Sequence, residues 1–174
     1  MNEYLTGGAA CDLGRRRLVL AGLGLSIAGC ASGPKPIEPT SLVITVQASA
    51  DVNPDIRGRA SPLSVRLFEL RSGAAFQTAD FFALYDRDQA TLGADMTGRE
   101  EMILKPGESQ TVTRKANTET RFLGIIAAYR DLERSVWRAS AAVMPPAEGN
   151  RVTGASSREQ RISIICERTG VRIG

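Results

Sequence analysis

The chain of 174 residues contains no histidine, and so lacks the side chain most often used as a general base near neutral pH and most often bound to zinc. Cysteine is almost as scarce: Cys11, Cys30 and Cys166 do not form the paired spacing of a metal site. There is no Gly-x-Ser-x-Gly elbow and no phosphate-binding loop, and Gly22-Leu23-Gly24 is too short for a dinucleotide fingerprint. Asp86 and Asp88 lack the glycine and terminal glutamate of a calcium loop, and are expected to face solvent at a helix end. Glu100 and Glu101 are adjacent, so in a strand they point to opposite faces and cannot share one reaction centre. Beyond residue 29 charge of one sign never forms a block, and the formal net charge of the whole chain is only +3, whereas nucleic-acid binding needs a concentrated basic surface. These absences argue against catalysis, a metal centre and a nucleic-acid partner.

The chain also lacks an apolar run long enough to span a bilayer. Leu18 to Gly29 is about twelve residues, where roughly twenty are needed. The run follows Arg15-Arg16-Arg17 and ends in Ile27-Ala28-Gly29-Cys30, the order of an export signal with a cationic start, an apolar middle and small residues at the cut. This end resembles the lipobox of bacterial lipoproteins, and the competing reading is an incidental cysteine after an apolar helix. Residues 1–29 are read as the export signal. The resemblance implies diacylglycerol on the Cys30 sulfur, cleavage just before it and an acyl chain on the new amino terminus. One buried chain binds a membrane only marginally, whereas several hold firmly. Ala31 and Ser32 lack the aspartate associated with inner-membrane retention, so the outer membrane is expected. Arg15-Arg16-Arg17-Leu18-Val19-Leu20 also resembles a twin-arginine signal, so the export route stays open, as does the start codon.

Without the leader the net charge falls from +3 to +2, since three arginines leave together with Glu3 and Asp12. Cys166 is then the one cysteine not lipidated, and no internal disulfide can form. It shares parity with Ile162 and Ile164 and is expected in the core, as a small hydrophobe. Residues 30–40 carry Pro34, Pro36 and Pro39 and read as an extended, semi-rigid tether. Residues 41–174 read as one β-sandwich domain. Leu42, Ile44 and Val46 alternate with Val43, Thr45 and Gln47, and Leu63, Val65 and Leu67 with Ser64 and Arg66. Further strands are expected near residues 101–105, 110–115, 122–130, 136–143 and 160–167. Lys105-Pro106-Gly107-Glu108 has type II turn chemistry and forms a hairpin-like corner.

Two segments break simple alternation. Residues 122–129 are apolar on both parities, so both faces need cover, and Phe68 and Leu70 require a lid on the outer face of their strand. The segment from Phe76 to Tyr85 supplies it as a helix, with Phe81, Leu84 and Tyr85 on one face. The loop Asp51–Pro62 is long for a connection between two strands. Polar and rich in turn residues, it is the best exposed candidate for binding; Met144–Ser157 is a weaker one. Within the first loop Asn53, Asp55, Arg57 and Arg59 are the expected partner-binding side chains, arginine being enriched at interfaces.

Asn53-Pro54-x-x-x-Gly58-Arg59-x-Ser61-Pro62-Leu63-x-Val65-x-Leu67-Phe68-x-Leu70 is similar to the opening of the type VI secretion outer-membrane lipoproteins, the TssJ (SciN, VasD) family. The likeness continues through Phe76-x-x-Ala79-Asp80-Phe81-Phe82-x-Leu84-Tyr85, Leu92-Gly93-Ala94-Asp95 and Arg99-Glu100-Glu101-x-x-Leu104-x-Pro106-Gly107-Glu108. It implies a mainly β, transthyretin-like sandwich of two antiparallel sheets with a short inserted helical element. It implies no enzymatic activity and no cofactor beyond the lipid on Cys30. It further implies a lipid anchor in the inner leaflet of the outer membrane, and binding of the periplasmic carboxyl-terminal part of TssM, with TssL as an indirect partner. In the family the loop between the first two strands contributes to that contact. The alternatives are a lipoprotein holding a small hydrophobic ligand between its sheets or beneath the lid, and a transthyretin-like hydrolase, which would require histidines.

Overall fold

The computed structural model describes residues 37–148 and 157–174. The expected export signal, Cys30 and the first part of the proline segment lie outside them, as do residues 149–156 of the second candidate loop. The described body is a two-sheet sandwich. One sheet contains β2 (Ser41–Ala48), β5 (Ser109–Lys115), β9 (Glu159–Cys166) and β10 (Val171–Ile173), in the order β10-β9-β2-β5. The other contains β3 (Leu63–Leu70), β4 (Met96–Leu104), β6 (Phe122–Ala127) and β7 (Arg138–Ala142), in the order β4-β3-β6-β7. A third, minimal pairing joins β1 (Ile37–Glu38) to β8 (Ala147–Glu148). The folded body thus takes in residues of the expected tether: Thr40 is buried and its hydroxyl donates to the Met144 carbonyl at 2.9 Å.

The alternation seen in the sequence sets the core. Leu42, Ile44 and Val46 face Leu63, Val65, Leu67, Leu123 and Ile125 between the sheets, with Cys166 among them, and these side chains are buried. Removing such a side chain from water contributes about 1.5–3 kcal/mol. The outer face of the second sheet has its own apolar layer, Phe68, Leu70 and Ile126 beneath Phe76, Phe81, Leu84 and Leu92, so both faces of β6 are covered. Gly124 permits this closeness, because a Cβ there would lie 2.8 Å from the Phe76 ring.

Four details differ from the sequence expectation. The lid is three short helices, α1 (Ala74–Thr78), α2 (Phe81–Asp86) and α3 (Asp88–Leu92). Ala79 is extended, and the Asp80 carboxylate caps α2 by accepting from the Ala83 N–H at 2.9 Å, so the backbone stops and restarts between Phe76 and Phe81. Asp88 does not face solvent: it is buried, with an oxygen 2.6 Å from Arg99 and 3.5 Å from Arg66. The Lys105–Glu108 turn, with Gly107 at φ 79 and Glu108 N–H donating to the Lys105 carbonyl at 2.9 Å, carries the chain from one sheet to the other and joins no hairpin. Finally, β2 and β9 pair parallel, an exception inside otherwise antiparallel sheets. β7 returns the chain to the end of the sandwich where β2 began, so β9 must run in the same direction as β2.

Glu100 and Glu101 separate as their adjacency requires. Glu100 turns inward to Arg114 at 3.0 Å, while Glu101 lies on the lid side, 2.9 Å from Arg66. Arg114 also meets the buried Glu69 of the opposite sheet at 2.8 Å, and the hydroxyl of Thr120 donates to Glu69 at 3.1 Å. A charged cluster therefore ties the two sheets together beside the β4 and β5 edges.

Candidate partner-binding site

The strand register gives the sandwich two poles. At one lie β1, β8 and the segment between β5 and β6; at the other lie the 49–62 loop, the 105–108 turn and the connections after β6 and β9. The candidate loop therefore stands at the far end of the body from the segment that leads back to residue 36.

That loop is locked by its own polar groups. Asn53 is only 4% exposed and adopts a positive φ of 50°, a conformation asparagine tolerates better than most residues. Its Nδ2 donates to the Pro62 carbonyl at 2.8 Å, its Oδ1 accepts from the Arg130 N–H at 2.8 Å, and its own N–H donates to the Arg168 carbonyl at 3.1 Å. Asn53, expected among the partner-binding side chains, thus knits three segments together and is not displayed. Asp55 also works within the loop. Its carboxylate accepts from the Arg59 N–H at 2.9 Å and the Arg57 N–H at 2.8 Å, and lies 2.8 Å from an Arg59 guanidinium nitrogen. The Arg59 backbone hydrogen bond, with the Arg59 side chain and the Arg57 N–H behind it, holds this carboxyl below its ordinary range. Arg57 remains outward, and Arg59 is exposed while leaning on Asp55.

The side chain at the tip is Ile56. It is fully exposed, held on a turn closed by Gly58 N–H donating to the Asp55 carbonyl and Asp55 N–H to the Arg59 carbonyl, each at 2.8 Å. Next to it runs an open groove of about 980 Å³, with walls from Pro54, Ile56, Arg130, Arg134 and Arg168 and with Tyr129 in its lining. The Tyr129 hydroxyl donates to the Glu167 carbonyl at 3.1 Å, and burial pushes its pKa up. Arg134 lies 3.6 Å from Asp131 and Arg168 3.7 Å from Asp51. The site therefore combines one projecting aliphatic knob with several guanidinium groups, suited to gripping a protein surface. Among the described residues no group of three or more acidic or cysteine side chains could hold a metal ion, and no helix is long and apolar enough to cross a membrane.

The type VI secretion lipoprotein family profile (SciN, VasD, EvfM, TssJ) matches residues 40–166. The chain belongs to this family. A crystal structure of the type VI lipoprotein TssJ1 from Pseudomonas aeruginosa is similar at 38% identity and TM-score 0.70, covering 78% of this chain and 95% of that one. Lip from Serratia marcescens, a membrane-bound component of a type VI secretion system, is similar at 26% identity and TM-score 0.68, covering 78% and 96%. A chain of a type VI membrane complex shares the fold at 19% identity and TM-score 0.65, covering 79% and 99%. No curated protein matches the chain. Membership makes this a structural secretion-system lipoprotein, membrane-associated and periplasmic.

Arg57 is displayed, Arg59 partly so, Asp55 is an internal brace and Asn53 is buried. Ile56 is not among the expected side chains, although a lone aliphatic residue in a polar, proline- and glycine-containing loop is itself a signal. Arg130, Arg134 and Arg168 carried no signal, because they join the site only through the fold.

Proposed function

We propose that this family member is the lipid-anchored scaffold of a type VI secretion membrane complex. Lipid on Cys30 holds it in the inner leaflet of the outer membrane. Its far pole binds the periplasmic carboxyl-terminal part of TssM and, through it, associates with TssL. The observation that carries this reading is the rigid loop that presents Ile56 and Arg57 beside an arginine-lined groove in a chain of this family. A projecting aliphatic residue on a pre-closed turn loses little conformational freedom on binding, which favours affinity. Phe76 of the lid packs on Phe68 of β3, with ring centroids 5.9 Å apart, so aromatic side chains fill the space that the small-ligand alternative would need there.

The test is capture of the periplasmic part of TssM by the purified protein. Ile56→Asp with Arg57→Glu should weaken it by about 30-fold or more, the effect of losing a hot spot worth at least ~2 kcal/mol. Undiminished capture by the double variant would remove the loop from the interface.

A further inference from the structure

We infer that the pole carrying β1 and β8 is a lipid-facing surface, seated on the bilayer by Ile37, Phe122 and Met144. This rests on the reading that Cys30 is lipidated. Three large apolar side chains stand exposed at that pole, Ile37 at 56%, Met144 at 43% and Phe122 at 37%. The register keeps them at one end: Ile37 pairs with Glu148, Phe122 with Ala142, and Thr40 bonds the Met144 carbonyl. Arg121 and Arg158 are exposed around them. Their backbones are tied to the same edges, Val143 N–H donating to the Arg121 carbonyl at 2.8 Å and Ser41 N–H to the Arg158 carbonyl at 2.7 Å. Acidic side chains of the same pole, Glu38, Glu119 and Glu159, are paired with Lys115, Arg71 and Arg161. Apolar side chains with arginine beside them suit a phospholipid interface, where the former enter the acyl boundary and the latter meet phosphate.

Covalent reach selects the occupant. From Cys30 to Ile37 the chain spans at most about 25 Å even if fully extended. An eight-residue strand such as β2 is about 26 Å long, and the loops at each end lengthen the body further. A chain fixed to lipid at Cys30 therefore cannot turn its far pole onto the bilayer. It can rest on the β1–β8 pole or lie on a flank, and the exposed apolar residues favour the pole. The groove and Ile56 then point away from the membrane.

The test uses the full lipoprotein, purified from membranes, carrying Ile37→Cys, Met144→Cys or Ile56→Cys. Cys166 is buried, and burial pushes its thiol up to about 12, so a fluorophore attaches at the introduced thiol. Each labelled protein is reconstituted into vesicles of phosphatidylethanolamine and phosphatidylglycerol containing a nitroxide-labelled lipid. Quenching at positions 37 and 144 should exceed that at 56 several-fold. Protein that floats with the vesicles but is quenched equally at all three positions, or most at 56, overturns the lipid-facing pole and leaves the anchor intact. Protein that fails to float has no anchor, and then both readings fall.

Discussion

Asn53 and Ile56 are three residues apart and have opposite roles. Asn53→Ala would leave the part-buried Pro62 carbonyl and Arg130 N–H without their partner and place alanine at a positive φ. The expected cost is ~1–3 kcal/mol for the orphaned groups, read as a lower urea midpoint. Ile56→Ala removes nothing buried and should stay within ~0.5 kcal/mol of the parent; the reverse order would contradict the roles assigned to the two side chains. Cys166 and Tyr129 give a pH dependence of known sign. Burial raises the Cys166 thiol from 9.0 to about 12 and pushes Tyr129 up as well. As pH rises past 9.0, the unfolded chain releases a proton that the folded chain retains, so stability is full below that pH and falls towards about 12. Urea unfolding at about pH 8 and about pH 10.5 should show a lower midpoint at the higher pH, with a smaller drop in Cys166→Ala.

At the scale of elements, the lid is fastened by charge as well as by aromatic packing. Arg66 rises from β3 beneath it, donates to the Tyr85 carbonyl, and lies 3.5 Å from Asp88 and 4.6 Å from the centre of the Tyr85 ring. Arg138 of β7 holds the end of α1 by donating to the carbonyls of Phe76 and Ala79, each at 2.9 Å. Removing one partner of a buried pair leaves the other charge uncompensated, at a cost of about 3–5 kcal/mol. Asp88→Ala should approach the lower figure, since Glu101 still holds Arg66 at 2.9 Å, and differential unfolding with denaturant would measure it. Sequence periodicity located the lid and its buried residues because Phe76, Phe81 and Leu84 have to cover Phe68 and Leu70. It could not divide the lid into three helices, because Asp80 reads as an ordinary helix residue until its carboxylate is seen capping Ala83. Nor could it turn Asp88 inward, since the arginines that neutralise it come from β3 and β4.

On the scale of the whole molecule, the function proposed above assigns its two tasks, anchoring and partner binding, to opposite poles of the sandwich. The segment leading back to Cys30 enters at the β1–β8 pole, while the displayed loop and the groove occupy the other. Anchorage and folding are therefore separable. The two apolar layers are assembled from Leu42 onward, so Cys30→Ser should leave the urea midpoint of the body unchanged while moving the protein from the membrane to the soluble fraction and abolishing secretion. Normal secretion from an unanchored protein would count against the scaffold reading.

The sequence alone determined the parity of β2, β3 and β9, the turn at Pro106-Gly107, the double-sided cover of β6 and the burial of Cys166. Each of these depends on neighbours a few residues away and on the two-residue repeat of a pleated strand. Only the tertiary structure decided the parallel β2–β9 pair, the inward turn of Asn53 and Asp88, and the arginines that line the groove. Alternation carries no information about strand direction. A buried polar side chain is settled by partners that distant segments bring to it: Pro62, Arg130 and Arg168 for Asn53, Arg66 and Arg99 for Asp88.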